Sequence, residues 1–314
     1  MPAASAPGRA PGAPRRGREG GRWLAYGFVA PALVVLIGVN VFPLLYSLVL
    51  SFSNAELTGG GYRMIGTLNY SFVFLDPKYA AAFRTTALFV AAAVSVELLL
   101  GYGLALGLRR DFRGKAAVLT LLLVPMMLPP AVIGLFWKLI LNGSYGVLNQ
   151  ALGTLGLPQP RWMTDPGLKL FSGLVIDVWM WTPFMLLISL AALNSIPAAV
   201  YEAAAIDRAS PWKLFRRITL PMSAPLVGLA VLLRATDAIK QFDLVMAITG
   251  PNDGSTQTLS ALLYQVMFRD GKVGLSSAYS YVVLVVVIAL ATVFIRYLHG
   301  QQGRSLQGGR GEAA

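Results

Sequence analysis

The chain has 314 residues, of which 56% are hydrophobic and 13% charged, and its mean hydropathy is +0.63. Soluble domains carry about 25% charged residues, so this composition indicates a membrane protein. A net charge of +12 also suits nucleic-acid binding, but so apolar a chain offers few surfaces for cations that neutralise phosphates, and we expect no nucleic-acid partner. The absence of cysteine and the single histidine, His299, exclude disulfides and zinc sites built from Cys or His, and we expect no metal site.

Both ends of the chain are predicted to be disordered tails. Residues 1–22 are basic and rich in Pro, Gly and Ala, and neither they nor residues 301–314 bury enough apolar surface to offset chain entropy. The first apolar run is longer than that of a signal peptide, so we expect it to be a retained span. Residues 23–300 are predicted to form one transmembrane domain.

Six apolar segments reach the length of about 20 residues that a helix needs to cross a bilayer. They are Tyr26 to Leu50, Phe83 to Leu108, Ala117 to Leu141, Phe171 to Leu193, Pro225 to Ile248 and Ser277 to Leu298. The predicted fold is therefore all-α and polytopic, with about six transmembrane helices and both termini on one side. The segments of that side hold most of the 26 Lys and Arg residues, so the positive-inside rule predicts that it faces the cytoplasm.

Several residues inside these spans carry a structural expectation. Pro125, Pro129 and Pro130 in the third span and Pro183 in the fourth remove backbone donors and are expected to kink their helices, either for packing or to line a cavity. Gly103 and Gly107 have the spacing that lets two helices approach closely. Glu97, a lone carboxylate in the second span, either relays protons or, as we favour, is hydrogen-bonded to a neighbouring helix.

A polar segment, residues 197–221, separates the fourth and fifth spans. Pro197 suits a first helical turn, Ala198 to Ala209 are mostly strong helix formers, and Ser210-Pro211 is expected to interrupt the helix before a second short one. Such a helix-turn-helix either inserts into a groove on a water-soluble partner or lies as an amphipathic loop on lipid headgroups. The physical argument alone leaves both open.

The motif in this segment resembles the signature loop of the permease subunits of binding-protein-dependent ABC importers. Glu-Ala-Ala is followed after thirteen residues by Ile-Thr-Leu-Pro, and the matching positions are Glu202, Ala203, Ala204, Asp207, Ala209, Phe215, Ile218, Leu220 and Pro221. The resemblance extends over about Trp23 to Leu298, including Gln241-Phe242-Asp243 and Thr249-Gly250-Pro251. It is strongest to the maltose-type first permease of pairs that move oligosaccharides, polyols or glycerol phosphate.

This resemblance implies a type I ABC importer permease fold in a bacterial plasma (inner) membrane, with the N- and C-termini in the cytoplasm. It implies a channel subunit that passes a carbohydrate or related polyol and that is coupled to a separate ATPase through residues 202–221. The implied partners are a homologous second permease, two ATPase subunits that bind ATP and Mg²⁺, an extracytoplasmic solute-binding protein and lipid. The chain contains no GxxxxGK[ST] loop, so we expect it to be non-catalytic and without a cofactor of its own.

Arg208 departs from the family pattern, which has glycine after the aspartate. An arginine at positive φ costs about 1 kcal/mol or more relative to glycine. We therefore expect either that the bend shifts to Ser210-Pro211 or that the angle between the two helices differs.

The candidate solute path lies on the fourth and fifth spans. Ionisable groups of the fifth span must face protein or water, either as a ladder of ion pairs or as the wall of a path. On each of these two spans, helical geometry places four candidate residues on one face. The resemblance places the translocation cavity between the two helices. The candidates are Asp177, Met180, Trp181, Phe184, Arg234, Asp237, Ala238 and Gln241.

Two other functions are weighed against the importer. An ion-coupled secondary transporter of small polar solutes, working through Glu97 or the Arg234/Asp237 pair, is expected to show internal repeats, and we find no clear one. A membrane enzyme needs a catalytic cluster, and no further acid or histidine joins Asp177 and Asp237.

Overall fold

A computed structural model of the chain describes the backbone of residues 18–250, 253–254 and 256–308, and the side chains of residues 26–250, 253–254 and 256–296. Residues up to Val49 form one unit and those from Leu50 onward a second, which carries every feature discussed below. Over the described ranges, the regular structure is helical apart from an isolated bridge between Ser53 and Met64. The chain is therefore all-α, as predicted.

The helices are numbered in chain order. They are α1 (Arg18–Leu36), α2 (Phe42–Ser51), α3 (Leu68–Leu75), α4 (Pro77–Leu108), α5 (Lys115–Leu123), α6 (Pro130–Ile140), α7 (Val147–Thr154), α8 (Pro166–Asn194), α9 (Ala198–Ile206), α10 (Pro211–Leu214), α11 (Leu220–Ile239), α12 (Asp243–Ile248), α13 (Leu259–Tyr264) and α14 (Val273–Gly308). Five-residue π-helical turns join α1 to α2 and α10 to α11.

Five helical runs of the described residues are long and apolar enough to cross a membrane. They are Tyr26–Ser51, Pro77–Leu108, Pro166–Asn194, Pro211–Ile239 and Val273–Arg296. The chain is thus a polytopic membrane protein, and five of the six predicted spans have a continuous helical counterpart.

The prediction of a continuous third span was wrong. The segment divides into α5, a short 3₁₀ turn at Pro125–Met127 and α6. Leu128 and Pro129 are extended, with ψ of 144° and 137°, because a residue before proline is driven away from helical geometry. The prolines therefore break this span rather than kink it.

The predicted boundaries of the fifth span were also wrong. The helix ends at Ile239, and α12 is separate because Phe242 between them has a non-helical backbone. At the other end the helical run begins at Pro211, well before the predicted start at Pro225. One helical run therefore leads from the polar segment directly into the membrane.

The predicted tails fall mostly outside the described residues, which exclude 1–17 and 309–314. Among the described residues, α1 begins at Arg18 and α14 ends at Gly308, so helical structure extends into both predicted tails. Helix formation is cooperative, so a helix that leaves a bilayer extends beyond its apolar segment because adding a residue to an existing helix costs less than starting a new one.

The core lies where α4, α8 and α11 pack together. The buried residues of this cluster are Tyr102, Ala105, Leu108, Leu186, Leu190, Ala192, Leu193 and Val227. Close approach of α4 to α8 depends on Gly101, where a Cβ would lie 2.6 Å from that of Met185. Within this chain Gly103 and Gly107 make no such close approach, since a Cβ on either would meet nothing within 4 Å.

Candidate functional site: an elbow and a buried charge cluster

The polar segment folds into two helices joined by a tight turn, which we call the elbow (residues 197–221). Pro197 is extended, with ψ of 139°, and precedes α9 as its N-cap, so it does not occupy the first turn as predicted. Asn194 or Ser195 was expected to cap this helix, but α8 extends through Asn194 and the Ser195 hydroxyl donates to the Ala192 carbonyl at the end of α8. Proline's missing N–H costs nothing at this helix boundary.

The turn after α9 is built around Arg208, which has φ of +51°. The Ala209 N–H donates to the Ala204 carbonyl at 3.0 Å and the Arg208 N–H to the Ala205 carbonyl at 3.1 Å. This pair of bonds is a Schellman motif, which requires a left-handed residue at the position that Arg208 occupies. The bend therefore stays at Arg208 and does not shift to Ser210-Pro211.

Arg208→Gly is expected to raise the free energy of unfolding by about 0.5 to 1 kcal/mol, because glycine adopts this conformation without strain. Thermal unfolding of the purified protein measures the effect. Arg208→Ala is the matched control, since it removes the charge but keeps the strained β-carbon, and it is expected to give no gain. A lower stability for Arg208→Gly would mean that the guanidinium makes a specific contact.

The second half of the elbow is continuous with a membrane helix. The Ser210 hydroxyl accepts from the Lys213 N–H and caps α10, and a π-helical turn then leads into α11. The prediction of a separate short second helix was therefore wrong. The helical backbone runs from Pro211 to Ile239, although it contains the π-helical turn Phe215–Thr219 and has Pro225 inside α11.

The elbow offers a mixed surface to solvent. Among the predicted coupling residues Glu202, Ala203, Asp207, Arg208, Leu220 and Pro221 are exposed, Ala209, Phe215 and Ile218 are half-buried, and Ala204 is buried. Ile206 and Trp212 add apolar side chains that are 83% and 67% exposed. Ala204 packs within the chain itself, so Ala203 is the alanine of the pair that faces outward.

Contacts from α4 hold the elbow in place. The Arg109 guanidinium lies 4.0 Å from the centre of the Tyr201 ring, and the Tyr201 hydroxyl is 3.2 Å from that of Thr219. One turn further along α11, the Tyr102 hydroxyl is 2.8 Å from that of Ser223. These contacts fix the elbow at the point where α4, α9 and α11 meet.

A charge cluster lies further along α11, and its cation is Arg234, which is 1% exposed. Its Nε and Nη2 donate to the two carboxylate oxygens of Glu97 on α4 at 2.9 and 3.0 Å. Nη2 also donates to Asp177 on α8. Both carboxylates are fully buried, so one guanidinium links three membrane helices through two acids. Charges buried this deeply are stable only when paired in this way.

The edge of the charge cluster is more accessible. The Asp237 carboxylate, 53% exposed, lies 3.7 Å from Nη1 of Arg234, and the Gln241 amide donates to Asp177 at 2.8 Å. The Arg234 guanidinium sits 4.9 Å from the centre of the Trp181 ring, which meets Phe184 edge-on. Charged, amide and aromatic groups therefore meet at the boundary of the buried core.

Comparison with known proteins identifies the family. The family model described as binding-protein-dependent transport system inner membrane component matches residues 97–305. The chain belongs to this family.

Full-length relatives and solved structures agree with this assignment. The chain is 35% identical to a probable ABC transporter permease protein of Sinorhizobium fredii, over 85% of this chain and 87% of that protein. It is 32% identical to the trehalose/maltose transport system permease protein MalF of Thermococcus litoralis, over 87% and 92%. A bacterial alginate ABC transporter, solved with an alginate pentasaccharide-bound periplasmic protein, contains a chain that superposes with a TM-score of 0.78 at 20% identity, covering 88% and 93%. The fold is thus that of type I permeases, and the chain is a multi-pass inner-membrane permease.

The permease brings most of the predicted path residues together. Asp177, Met180, Arg234 and Ala238 are buried, Trp181, Phe184 and Gln241 are half-buried, and Asp237 is exposed. The ion pairs of Arg234 run mainly between helices rather than along α11. Met180 belongs to a separate apolar cluster with residues of α6 and α12. Contact of any of them with solute stays a prediction.

Two features of the permease were missed at the level of sequence. Glu97 was expected to bond a neighbouring helix, and it does so, but it was not assigned to the charge cluster. Charge balance was the available signal, because a lone carboxylate in an apolar helix needs a cation and Arg234 lies at a comparable depth. The Lys169–Asp253 ion pair was also missed, since it joins segments 84 residues apart.

Proposed function

We propose that this permease is the channel subunit of an ATP-driven importer that carries a carbohydrate or related polyol across the plasma membrane. ATP and Mg²⁺ bind to two separate ATPase subunits, and a homologous second permease and an extracytoplasmic solute-binding protein complete the importer. The trehalose/maltose specificity of one relative and the alginate-bound receptor of a structural neighbour support a carbohydrate cargo. The positive-inside pattern supports a cytoplasmic elbow and cytoplasmic termini.

The continuity of the elbow with α11 carries this proposal. The backbone from Pro211 to Arg234 is one helical run about 35 Å long, at about 1.5 Å per residue. A displacement of the elbow by an ATPase is therefore transmitted along a stiff element to the charge cluster. Because Arg234 holds α4 and α8, the three helices move together and change access to the path on either side.

The side chains at the accessible edge of the charge cluster bind the solute as it passes. The C–H faces of a sugar stack on aromatic rings, here Trp181 and Phe184, and its hydroxyls pair with carboxylate and amide groups, here Asp237 and Gln241. Arg234 lies behind them and orients Asp177, which in turn holds the Gln241 amide. The half-exposed side chains contact solute, and the buried ones position them.

Asp237→Asn and Gln241→Ala are each expected to raise the half-saturating solute concentration for uptake about tenfold, the equivalent of one lost hydrogen bond of about 1.4 kcal/mol. Kinetics of uptake by the assembled importer measure this. Lys240→Gln is the matched control, because Lys240 is exposed next to this edge and its side chain forms no hydrogen bond or ion pair with any residue that the structure describes. Unchanged kinetics in both variants would remove Asp237 and Gln241 from the path.

Reconstitution with omission of single components tests the function itself. Proteoliposomes that contain the whole importer are expected to accumulate solute only when ATP is present on the side of the membrane where the elbow lies. Omission of the ATPases or of the second permease is expected to abolish accumulation. Uphill uptake by this chain alone, driven by a proton or sodium gradient, would instead establish a secondary transporter.

A further inference from the structure

A polar cavity of about 780 Å³ lies away from the charge cluster, where the end of α6, the start of α8 and the end of α12 meet. Its wall includes Lys138, Asn142, Arg161, Lys169, Thr249 and Asp253. Pockets of 300 to 1,000 Å³ are typical of small-molecule sites, whereas protein docking surfaces are flatter. The shape favours a solute of a few sugar units or less.

The lining of this cavity is cationic. Lys169 forms an ion pair with Asp253, and both side chains are less than a fifth exposed. Lys138 and Arg161 are exposed, and neither forms an ion pair with any acid among the residues that the structure describes. The nearby acid Asp165 does not line the cavity, because it caps α8 by accepting from two backbone N–H groups. Two cationic groups therefore remain available to an anion.

This cavity differs from an apolar one on another face. The apolar cavity, of about 680 Å³ on α4, α5 and α8, is lined mainly by Leu, Val, Phe and Trp side chains, as expected of a surface that faces lipid tails. The polar cavity instead presents the amide nitrogen of Asn142 and the Thr164 hydroxyl beside its cations, whereas the Thr249 hydroxyl already hydrogen-bonds the Val245 carbonyl and the Thr256 hydroxyl. Amides and hydroxyls of this kind pair with sugar hydroxyls, and arginine pairs with carboxylate or phosphate oxygens.

The position of the cavity relates it to the solute path. Ile248 and Thr249 line it at one end of α12, and Gln241 lies just before the other end. Helix α12 has six residues and is about 9 Å long, so the cavity lies one short helix from the accessible edge of the charge cluster. The positive-inside pattern places this end of the permease on the outer side.

We propose that this cavity is an entry subsite for an anionic carbohydrate, in which Lys138 and Arg161 bind the acidic group of the solute. The acidic group is a carboxylate, sulfonate or phosphate, and the neutral side chains of the wall bind its hydroxyls. This proposal rests on the proposed function and narrows its substrate class to acidic sugars or polyols. The Lys169–Asp253 pair holds α8 against the segment after α12 and shapes the subsite.

Ligand binding to the assembled permease–ATPase complex in nanodiscs, without the solute-binding protein, tests the proposal. Saturation-transfer NMR is recorded with D-glucuronate and with D-glucose. Wild-type protein is expected to bind glucuronate at least about tenfold more tightly than glucose, and binding is expected to weaken as salt is raised. Lys138→Gln combined with Arg161→Gln is expected to remove this preference and to leave the glucose signal unchanged.

The matched control is Lys78→Gln with Arg269→Gln, which removes the same two charge types from exposed positions outside the cavity. It is expected to behave as wild type. Equal binding of the two sugars, or equal loss in both double variants, overturns the subsite. Retention of the glucuronate preference in the Lys138/Arg161 variant overturns it as well.

Failure of the subsite and failure of the proposed function give different results. If the importer accumulates solute with ATP but glucuronate shows no preference, the subsite fails and the importer stands. If no accumulation occurs under any condition, the importer fails whatever the binding data show.

Discussion

Arg234→Met is expected to destabilise the folded permease by about 3 to 5 kcal/mol, because Glu97 and Asp177 then remain buried without their cation. Thermal unfolding in nanodiscs, together with the yield of monodisperse protein, measures the loss. Methionine keeps an unbranched stem but lacks the guanidinium group, so a small cavity adds to the effect of the lost charge.

A triple variant separates the charge from the shape. Glu97→Gln and Asp177→Asn added to Arg234→Met remove all three buried charges, and this variant is expected to recover most of the stability. Arg234→Lys keeps the charge but loses the two-point contact with Glu97, so it is expected to lie between the two. If Arg234→Met unfolds at the wild-type temperature, the buried cluster does not hold the helices together.

Glu202→Lys is expected to abolish ATP-driven uptake, a loss of at least about 100-fold, while membrane insertion and thermal stability stay at wild-type values. Glu202 is exposed on α9, so reversal of its charge costs little within the chain. At an interface with an ATPase, a like-charge contact costs several kcal/mol, which corresponds to at least this factor. Uptake and co-purification of the ATPase subunits are the measurements.

The control for Glu202→Lys is Glu56→Lys, the same reversal at an exposed glutamate outside the elbow. It is expected to leave uptake unchanged. Glu202→Asp is expected to retain partial uptake, since the charge stays but its reach shortens. Wild-type uptake in Glu202→Lys would show that the ATPase binds the permease at a surface other than the elbow.

Local patterns in the sequence predicted much of this molecule. Apolar runs of sufficient length located five spans, because the bilayer fixes helix length. The elbow followed from helix formers interrupted before Pro211, and the residue spacing of its motif identified the family. Arg208 was recognised as a departure from the family pattern. The position of the bend could not be decided from the sequence, because the free-energy cost of an arginine at positive φ and that of losing the Schellman motif are similar.

Long-range pairings were less predictable. Arg234 and Glu97 are 137 residues apart. Helical periodicity on α11 alone indicated only the ion pair with Asp237, which forms at 3.7 Å beside the buried pairs. Packing decides such partners, because a buried guanidinium takes the carboxylates that neighbouring helices bring nearest. The break at Leu128–Pro129, by contrast, follows from the consecutive prolines themselves, and the prediction of a kink understated their effect.

Rigid transmission along α10 and α11 is the central claim, and distances between spin labels test it most directly. The chain has no cysteine, so cysteines can be placed at Arg217, in the π-helical turn before α11, and at Lys240, directly after α11, in an importer whose partners are cysteine-free. A third position, Arg113, lies in the loop between α4 and α5. From the nucleotide-free to the ATP-bound state, the 217–240 distance of about 35 Å is expected to stay constant. The 113–217 distance is expected to change as the elbow moves. A constant 113–217 distance, or a change within the 217–240 pair, would contradict transmission by a rigid helix.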